Sequence, residues 1–339
     1  MIFRQSLRLK DLSPLFRIAR VAACIFVTQP AVAVIFYETA NPSHNTIAPT
    51  ATYADSGWQY QGLLGGFLGT MISPQLFITA QHIGTPSTTF TSTLAFNGTG
   101  DVTYHVDTTA NGGAGYWDIA GADLRIYKIN ESFSSYASLF SGSDEVGKSL
   151  VTIGRGGLRG DPVFSGEAKG WKTGGSDGTT RWGTNEVSAI VGSGSGAWLA
   201  AEFDAITGAH EAFWSSGDSG GAVFIQEGGT WKLAGINSAI EGSFDTNNII
   251  GDGSDFTGAL FDVGGLYVGS DAGGWTLIPD QTADRPQRLY AARISSNLAA
   301  IDAVIQSVPE PSGAFLIIGA LPWILRRRRE GRPSLEKKA

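Results

Sequence analysis

Short apolar or alternating segments, separated by turn residues, recur through the middle of this chain. Brief runs of this kind between turn signals are typical of β-strands. The segments predicted as strands are residues 66–72, 76–80, 88–96, 103–107, 124–129, 163–170, 197–203, 221–226, 231–238 and 258–261. The turns Asn97-Gly98 and Asn111-Gly112-Gly113 contain the residues that tight hairpins require. The pattern predicts an all-β protein.

Three segments depart from the strand pattern. Residues 34–61 are poorly periodic and are predicted to form an extended N-terminal arm. Residues 241–255 are rich in Gly, Asp and Asn and predict a long loop. Calcium binding there stays open because Asp252 and Asp255 cluster, although their spacing does not match an EF-hand. Residues 291–307 carry apolar side chains at helical spacing and predict an amphipathic helix.

The first 33 residues have the order of parts found in secretory signal peptides. Basic residues precede the apolar stretch 21–28, and Ala31-Val32-Ala33 gives a small-x-small cleavage pattern. We predict cleavage after Ala33, so that the mature chain begins at Val34; a buried N-terminal helix is the alternative. The only cysteine, Cys24, lies in this leader. No disulfide is therefore predicted in the mature protein.

Composition and charge narrow the range of partners. Of the 339 residues 46 are glycine and only 16% are charged, which indicates many turns. Without the leader and residues 308–339, the chain keeps 12 of its 24 Lys and Arg residues but 27 of its 31 Asp and Glu residues. This acidic excess leaves no basic stripe, so no nucleic-acid partner is predicted. The Gly-rich segment 154–160 lacks the Lys-Ser/Thr of a phosphate loop. No cofactor is predicted, and no metal apart from the calcium that residues 241–255 leave open.

The segment Gly217-Asp218-Ser219-Gly220-Gly221 is the strongest chemical signal in the sequence. Because glycines adopt backbone angles that bulky residues cannot, a turn here can point several N–H groups at one position before the Ser219 hydroxyl. A nucleophile beside preorganised donors is what acyl transfer requires. A Gly-rich hairpin turn with an incidental serine is the non-functional alternative.

A histidine and a carboxylate upstream complete the set that activates such a serine. His82 directly follows the apolar segment 76–80, where the scaffold can hold its ring beside a cleft. Three other histidines lack this setting: His44, His105 and His210. Asp123 opens an alternating run that is typical of a half-buried strand.

With these three motifs the chain resembles the chymotrypsin/trypsin-like serine peptidases. Residues 79–82 match the family's Thr-Ala-x-His, Asp123-Leu124 its Asp with a following apolar residue, and residues 217–221 its Gly-Asp-Ser-Gly-Gly. The resemblance covers residues 62–307. It implies two six-stranded antiparallel Greek-key barrels, at 62–140 and 141–290, followed by the C-terminal helix at 291–307.

The resemblance also implies the roles of individual residues. His82 would be the general base, Ser219 the nucleophile and Asp123 the acid that orients the imidazole, with the N–H groups of Gly217 and Ser219 as the oxyanion hole. Asp118-Ile119-Ala120 fits the family's acid motif as well, so Asp118 remains the alternative to Asp123. The unbroken strand pattern after Asp123 favours Asp123.

Two further features follow from the resemblance. The substrate pocket would include Phe213, Ser216, Ser238 and Ile240. No acid lies six residues before Ser219, so small or modest apolar side chains are expected rather than Lys or Arg. In some family members a freed N-terminus pairs with the acid before the serine, here Asp218; local hydrogen bonds are the alternative.

Residues 308–339 resemble the PEP-CTERM sorting signal of Gram-negative bacteria. The motif Val308-Pro-Glu-Pro-Ser312 precedes an apolar segment and the cluster Arg326–Arg329. The resemblance implies processing by an exosortase-type enzyme, with the apolar segment in the membrane beforehand and the arginines on its cytoplasmic side. A plain tail anchor is the alternative. The predicted location is the cell envelope or extracellular matrix.

The sequence therefore predicts an exported serine endopeptidase that acts on proteins or peptides through an acyl-enzyme. A catalytically inactive, protease-like surface or matrix protein that binds a partner is the alternative, since such sorting signals deliver matrix proteins. An intact His82, Asp123 and Ser219 favours the enzyme.

Overall fold

Short β-strands are the main regular structure in the computed structural model, which describes residues 34–309. The predicted all-β fold is confirmed. Both the predicted leader, 1–33, and residues 310–339 of the predicted sorting segment lie outside the described residues. Within residues 34–309, no helix is both long enough and apolar enough to cross a membrane.

The strands are β1 Ile35–Phe36, β2 Gln61–Leu64, β3 Phe67–Ser73, β4 Leu76–Thr79, β5 Thr89–Ser92, β6 Val102–His105, β7 Tyr116–Asp118, β8 Arg125–Lys128, β9 Ser149–Gly154, β10 Arg159–Ser165, β11 Glu167–Thr173, β12 Arg181–Val191, β13 Trp198–Glu202, β14 Ala212–Phe213, β15 Ala222–Glu227, β16 Thr230–Ile240, β17 Phe244–Asp245, β18 Gly258–Leu260, β19 Tyr267–Ser270, β20 Gly274–Leu277 and β21 Arg288–Arg293. The α-helices are α1 Leu94–Asn97, α2 Ala110–Gly113 and α3 Leu298–Ser307. Short 3-10 turns lie at Ala51–Tyr53, Trp58–Tyr60, Gln81–Ile83, Gly194–Gly196, Gly208–His210 and Ser295–Asn297.

The second half of the chain forms a closed six-stranded antiparallel barrel. Its strands follow one another around the barrel in the order β12-β13-β21-β16-β15-β9, and β9 pairs with β12 to close it. Long stretches of these strands are buried without interruption, at residues 150–154, 181–185 and 222–225, so both of their faces are covered. Most of the interior side chains belong to one cluster that includes Leu150, Val223 and Leu289.

The first half forms a curled seven-stranded sheet in the order β6-β5-β2-β3-β4-β8-β7. A bridge between Val106 and Ile129 joins the end of β6 to the end of β8. Asp107 N–H donates to the Lys128 carbonyl there at 2.8 Å. The six strands from β6 to β8 in this order therefore curl until the ends of β6 and β8 meet. Strand β7 is an additional strand at the edge of β8, and the sequence analysis did not predict it.

The two halves share one topology. If the six barrel strands of each half are numbered along the chain, both run around the barrel in the order 1-2-3-6-5-4. Neighbouring strands pair antiparallel throughout. This arrangement has the non-sequential pairing of a Greek key, in agreement with the prediction.

Three predicted boundaries were wrong. The helix predicted over 291–307 begins only at Leu298, because Arg288–Arg293 forms β21, which pairs with β13 and β16. The strand predicted over 88–96 is β5 followed by the short helix α1, and the strand predicted over 163–170 is part of the β10–β11 hairpin. Pairing with distant strands, which local patterns do not report, decided the outcome for β21. The hairpin turns at Gly166, whose φ is +77°.

An apolar seam joins the two halves. One buried cluster includes Leu68 and Ile78 of the first half together with Val151 and Phe224 of the second. Burial of this shared surface is favourable at about 25 cal/mol per Å² of apolar area. The seam therefore fixes how the loops at its edge, which carry the candidate site, lie against each other.

Candidate active site

Three loops at the ends of strands bring the predicted residues together. His82 lies in the 3-10 turn that directly follows β4, and Asp123 lies just before β8 of the same sheet. Ser219 lies in the turn that leads into β15 of the second barrel. The site thus spans both halves of the protein, at the edge of the seam.

The three side chains form a continuous hydrogen-bonded chain. His82 Nε2 lies 2.8 Å from Ser219 Oγ, and His82 Nδ1 lies 2.7 Å from Asp123 Oδ2. The other carboxylate oxygen of Asp123 accepts the backbone N–H of His82 at 2.8 Å. The Ser238 hydroxyl also donates to Asp123 Oδ2. The imidazole can therefore accept a proton from Ser219 on one side while the carboxylate orients it on the other.

The structure places Asp123, and not Asp118, beside the imidazole. Asp118 instead pairs with Arg125, with Nε to Oδ1 at 2.6 Å and Nη2 to Oδ2 at 3.0 Å. The two residues face each other directly across β7 and β8. The sequence motif left open whether Asp118 or Asp123 lies beside His82, and these hydrogen bonds distinguish the two acids.

The electrostatics match this geometry. The hydrogen bond to Asp123 raises the pKa of His82 above its ordinary value, although burial acts to lower it. Burial acts to raise the pKa of Asp123, but hydrogen bonds from His82 and Ser238 outweigh it and lower that pKa. The carboxylate therefore stays ionised and stabilises the imidazolium that forms when His82 accepts a proton.

The turn before Ser219 leaves two backbone donors free. Among residues 34–309, neither the N–H of Gly217 nor that of Ser219 donates to a protein acceptor, whereas the N–H groups of Asp218 and Gly220 do, to Ser215 and Asn237. Gly217 has φ +101°, which a residue with a side chain rarely adopts. The two free donors are those predicted for the oxyanion hole.

A buried carboxylate holds this turn in place. Asp218 is only 1% exposed, and it accepts the N–H groups of Gly156 at 2.7 Å and Ser215 at 2.8 Å and the Ser215 hydroxyl at 3.0 Å. Burial raises the pKa of Asp218 to about 6 despite these bonds. None of these donors carries a charge, so the ionised form of Asp218 has no direct cationic partner among residues 34–309.

Val34, where the mature chain is predicted to begin, lies next to this carboxylate. Val34 is 2% exposed, and a side chain on Gly154 would collide with Asp218 Oδ1 and lie 2.9 Å from Val34 Cγ2. The neighbouring residues of the arm form β1, which pairs with β14 just before the turn. The predicted new N-terminus is thus anchored beside Asp218.

A cavity of about 210 Å³ opens beside Ser219. Ser216, Ser238 and Ile240 line it, as predicted, and so does Trp214. Thr257 also lines it, although the sequence analysis did not assign it to the pocket. The prediction for Phe213 was wrong: its ring is completely buried in the core of the second barrel because β14 pairs with β1.

Several residues that support the site were missed by the sequence analysis. Asn237 bonds the turn through its backbone: Gly220 N–H donates to its carbonyl at 3.0 Å, and its own N–H donates to Gly221 at 2.8 Å. Thr257 reaches the cavity because β18 pairs with β11. Such contacts depend on tertiary pairing, and no local motif marks them.

The only group of three or more metal-ligating side chains found among residues 34–309 lies elsewhere. The carboxylates of Glu167, Asp262 and Asp280 cluster within 4.8 Å of one another. The buried ammonium of Lys169 lies among them, at 3.0, 2.5 and 3.1 Å. Lys169 thus supplies the positive charge that these acids require. In the loop considered for calcium, Asp252 accepts bonds from Asn247 and Ser254.

Comparison with known proteins adds no assignment, since neither a protein-family model nor a curated protein matches the chain.

The imidazole of His82 is expected to set the acid limb of the pH profile. Because the neutral ring must accept the Ser219 proton, kcat/KM should fall as the pH drops through the pKa of His82, which lies above its ordinary 6.5. Asp123→Asn should move this limb to lower pH and reduce kcat about 10,000-fold. The measurement is an NMR titration of the histidines, together with a pH profile of the peptide hydrolysis that is proposed below.

His105→Gln is the matched control, because His105 forms a similar pair with Glu131 on the surface. This variant should keep the wild-type profile. An acid limb unmoved by Asp123→Asn would contradict the role given to Asp123.

Proposed function

We propose that this protein is a serine endopeptidase that hydrolyses peptide bonds through an acyl-enzyme. The observation that carries the proposal is the hydrogen-bonded chain from Ser219 through His82 to Asp123, at 2.8 and 2.7 Å. The free N–H groups of Gly217 and Ser219 support it independently, because they offer two donors beside the nucleophile.

In the proposed reaction His82, Ser219 and the backbone of the turn before Ser219 each have a role. His82 accepts the Ser219 proton while Ser219 Oγ attacks the peptide carbonyl, and the N–H groups of Gly217 and Ser219 bind the oxyanion. His82 then gives the proton to the leaving amine, which leaves an ester on Ser219. A water molecule, deprotonated by His82, attacks this ester, and the proton returns to Ser219 as the acid product leaves.

The cavity supports a preference for small or modest apolar side chains before the scissile bond. Trp214, Ala239 and Ile240 give it apolar walls. Asp218 is the one ionisable residue among those that line it, and its carboxylate is occupied by hydrogen bonds from Gly156 and Ser215. The residues that line the cavity therefore offer no unpaired carboxylate to bind a Lys or Arg side chain of the substrate.

The protein is further proposed to be exported and sorted to the cell envelope or extracellular matrix. The predicted leader and sorting signal carry this part of the proposal, together with the exosortase-type partner and transient membrane contact. The inactive, partner-binding alternative would share this location. It gives no reason for the contact between His82 and Ser219, which favours the enzyme.

The amino group of Val34, once freed from the leader, is proposed to pair with Asp218. The pairing would give the buried carboxylate a cation and lower its raised pKa. Because Asp218 holds the turn from Ser215 to Ser219, the pairing would stabilise the oxyanion donors in their active arrangement. Removal of the leader and maturation of the site would then be one event.

Ser219→Ala tests the peptidase function. The variant should lose all labelling by a fluorophosphonate probe and all casein hydrolysis, because only the Ser219 hydroxyl can form the acyl-enzyme. Ser216→Ala is the matched control for labelling, which should persist: Ser216 lies in the same loop and lines the cavity, but it is outside the hydrogen-bonded chain. Labelling that persists in Ser219→Ala would refute the proposal.

A peptide library tests the pocket. Small or modest apolar residues should dominate before the cleaved bond, and Ile240→Gly should extend the preference to larger apolar residues by opening the cavity. One methylene of fit is worth about 10- to 200-fold in kcat/KM. A profile dominated by Arg or Lys would reject this part of the proposal.

A comparison of two N-termini tests the pairing of Val34 with Asp218. Chains that begin at Val34 should exceed chains that retain Ala33 in kcat/KM by about 10- to 100-fold, because loss of a buried ion pair is strongly destabilising. Asp218→Asn should abolish the difference. Equal activity of the two wild-type forms would show that local hydrogen bonds alone hold Asp218.

A further inference from the structure

The turn that carries His82 has little of its own to hold it. Gln81–Ile83 is a single 3-10 turn, and its internal bond is Gly84 N–H to the Gln81 carbonyl at 3.1 Å. The sequence has one cysteine, Cys24, so no disulfide can fix this loop within residues 34–309. Contacts from other elements must therefore set the position of the imidazole.

One such contact lies on each side of His82. On the near side, Asp123 accepts the backbone N–H of His82. On the far side, the carbonyl of Gly84 accepts two bonds from β8: Nη1 of Arg125 at 2.9 Å and the hydroxyl of Tyr127 at 2.8 Å. Arg125 and Tyr127 are two residues apart on the strand, so both side chains lie on the same face.

The guanidinium of Arg125 is itself tightly held. Asp118 binds it through two parallel bonds, at 2.6 and 3.0 Å, and the ring centre of Tyr116 lies 3.7 Å from its Cζ. Arg125 is only 7% exposed. A planar guanidinium fits this place because it can bind a carboxylate with one edge and donate to a carbonyl with another.

We propose that Arg125, held by Asp118, is a positioning residue that fixes Gly84 and through it the His82 imidazole. The proposal rests on the proposed peptidase function and assigns a role to Asp118, the acid that does not contact His82. Asp123 and Arg125 lie two residues apart: Asp123 bonds His82 itself, and Arg125 bonds Gly84, which ends the turn. The clamp of Arg125, Asp118 and Tyr127 on Gly84 holds this loop through hydrogen bonds of side chains.

Loss of the clamp should affect turnover more than substrate binding. The cavity is lined by residues of the second barrel and its loops, whereas the clamp acts on the loop of the first half that carries the base. Misplacement of a catalytic group by about 1 Å can cost about 100-fold in rate. Arg125→Met should therefore lower kcat about 10- to 100-fold with KM within about threefold of the wild type.

Lys128→Met is the matched control. Lys128 lies on the same strand, is partly buried and pairs with Asp107, but it does not contact Gly84. The Lys128→Met variant loses an ion pair comparable to that of Arg125 with Asp118, and its kcat should equal that of the wild type. An equal loss of kcat in both variants would show general destabilisation of β8 and overturn the proposal, as would an unchanged kcat in Arg125→Met.

A second readout does not depend on activity. The NMR resonance of the His82 Nδ1 proton, which lies in the hydrogen bond to Asp123, should shift or broaden in Arg125→Met and stay unchanged in Lys128→Met. The same comparison in the Ser219→Ala background tests the clamp even if the protein proves not to be a peptidase. An unchanged resonance in Arg125→Met would overturn the proposal.

Conservative variants decide the outcome if Arg125→Met does not fold. In Arg125→Lys a single ammonium cannot bridge Asp118 and Gly84 in the same way, so the shifted or broadened resonance should persist while the fold is retained. Tyr127→Phe removes the other donor to Gly84 and should give a smaller change of the same kind. A wild-type resonance in both variants would overturn the proposal.

Discussion

The proposed chemistry depends on one contact between two sheets, from His82 Nε2 to Ser219 Oγ, across 137 residues of sequence. The apolar seam brings the sheets together, but apolar burial has no direction and cannot set a hydrogen bond. Polar contacts supply the direction. A side chain on Gly220 would collide with Thr79 Oγ1 and the Leu68 carbonyl, which shows how closely the nucleophile turn lies against the first half.

The second barrel supports its side of the contact with a buried carboxylate. An ionised group in a nearly water-free position is costly unless hydrogen bonds satisfy it. Asp218 accepts bonds from Gly156 and Ser215, and this fixes the backbone on both sides of Gly217. A turn that contains a buried carboxylate is thereby stabilised where the N–H groups of Gly217 and Ser219 stay unpaired. The buried Asp218 carboxylate costs stability, and the same carboxylate holds the turn in which the N–H groups of Gly217 and Ser219 stay free.

Sequence patterns predicted the site better than its surroundings. His82, Asp123 and Ser219 lie at the ends of strands that local alternation already indicated, so their placement followed from the fold class. Phe213 could not be placed in this way. Whether its ring faces the cavity or the core is decided by the pairing of β14 with β1, a strand of the arm that carries no periodic pattern.

The two candidate acids show the same limit. Asp118 and Asp123 both precede an apolar residue, and nothing local separates them beyond the length of the following run. Their difference lies in cross-strand register, which sets Asp118 opposite Arg125. Thr257 enters the cavity from a segment inserted between β16 and β21, again through pairing with a distant strand. Register and insertion geometry are properties of the assembled sheet.

A second histidine pair shows why contact alone does not make a site. His105 binds Glu131 through its backbone N–H and its Nδ1, both at 2.8 Å, which repeats the arrangement of His82 and Asp123. The Glu131 side chain is 41% exposed, whereas that of Asp123 is 15% exposed. Among residues 34–309, no hydroxyl bonds the other ring nitrogen of His105.

What distinguishes His82 is therefore the setting of its pair. The Asp123 carboxylate is shielded from water and also bonded by Ser238, so its charge acts on the imidazole with little screening. His82 Nε2, the ring nitrogen that does not contact Asp123, contacts Ser219 of the other half of the protein. An imidazole and a carboxylate form a common surface pair. Under the proposed function, the second barrel adds to this pair the Ser219 hydroxyl and a turn with two free N–H donors.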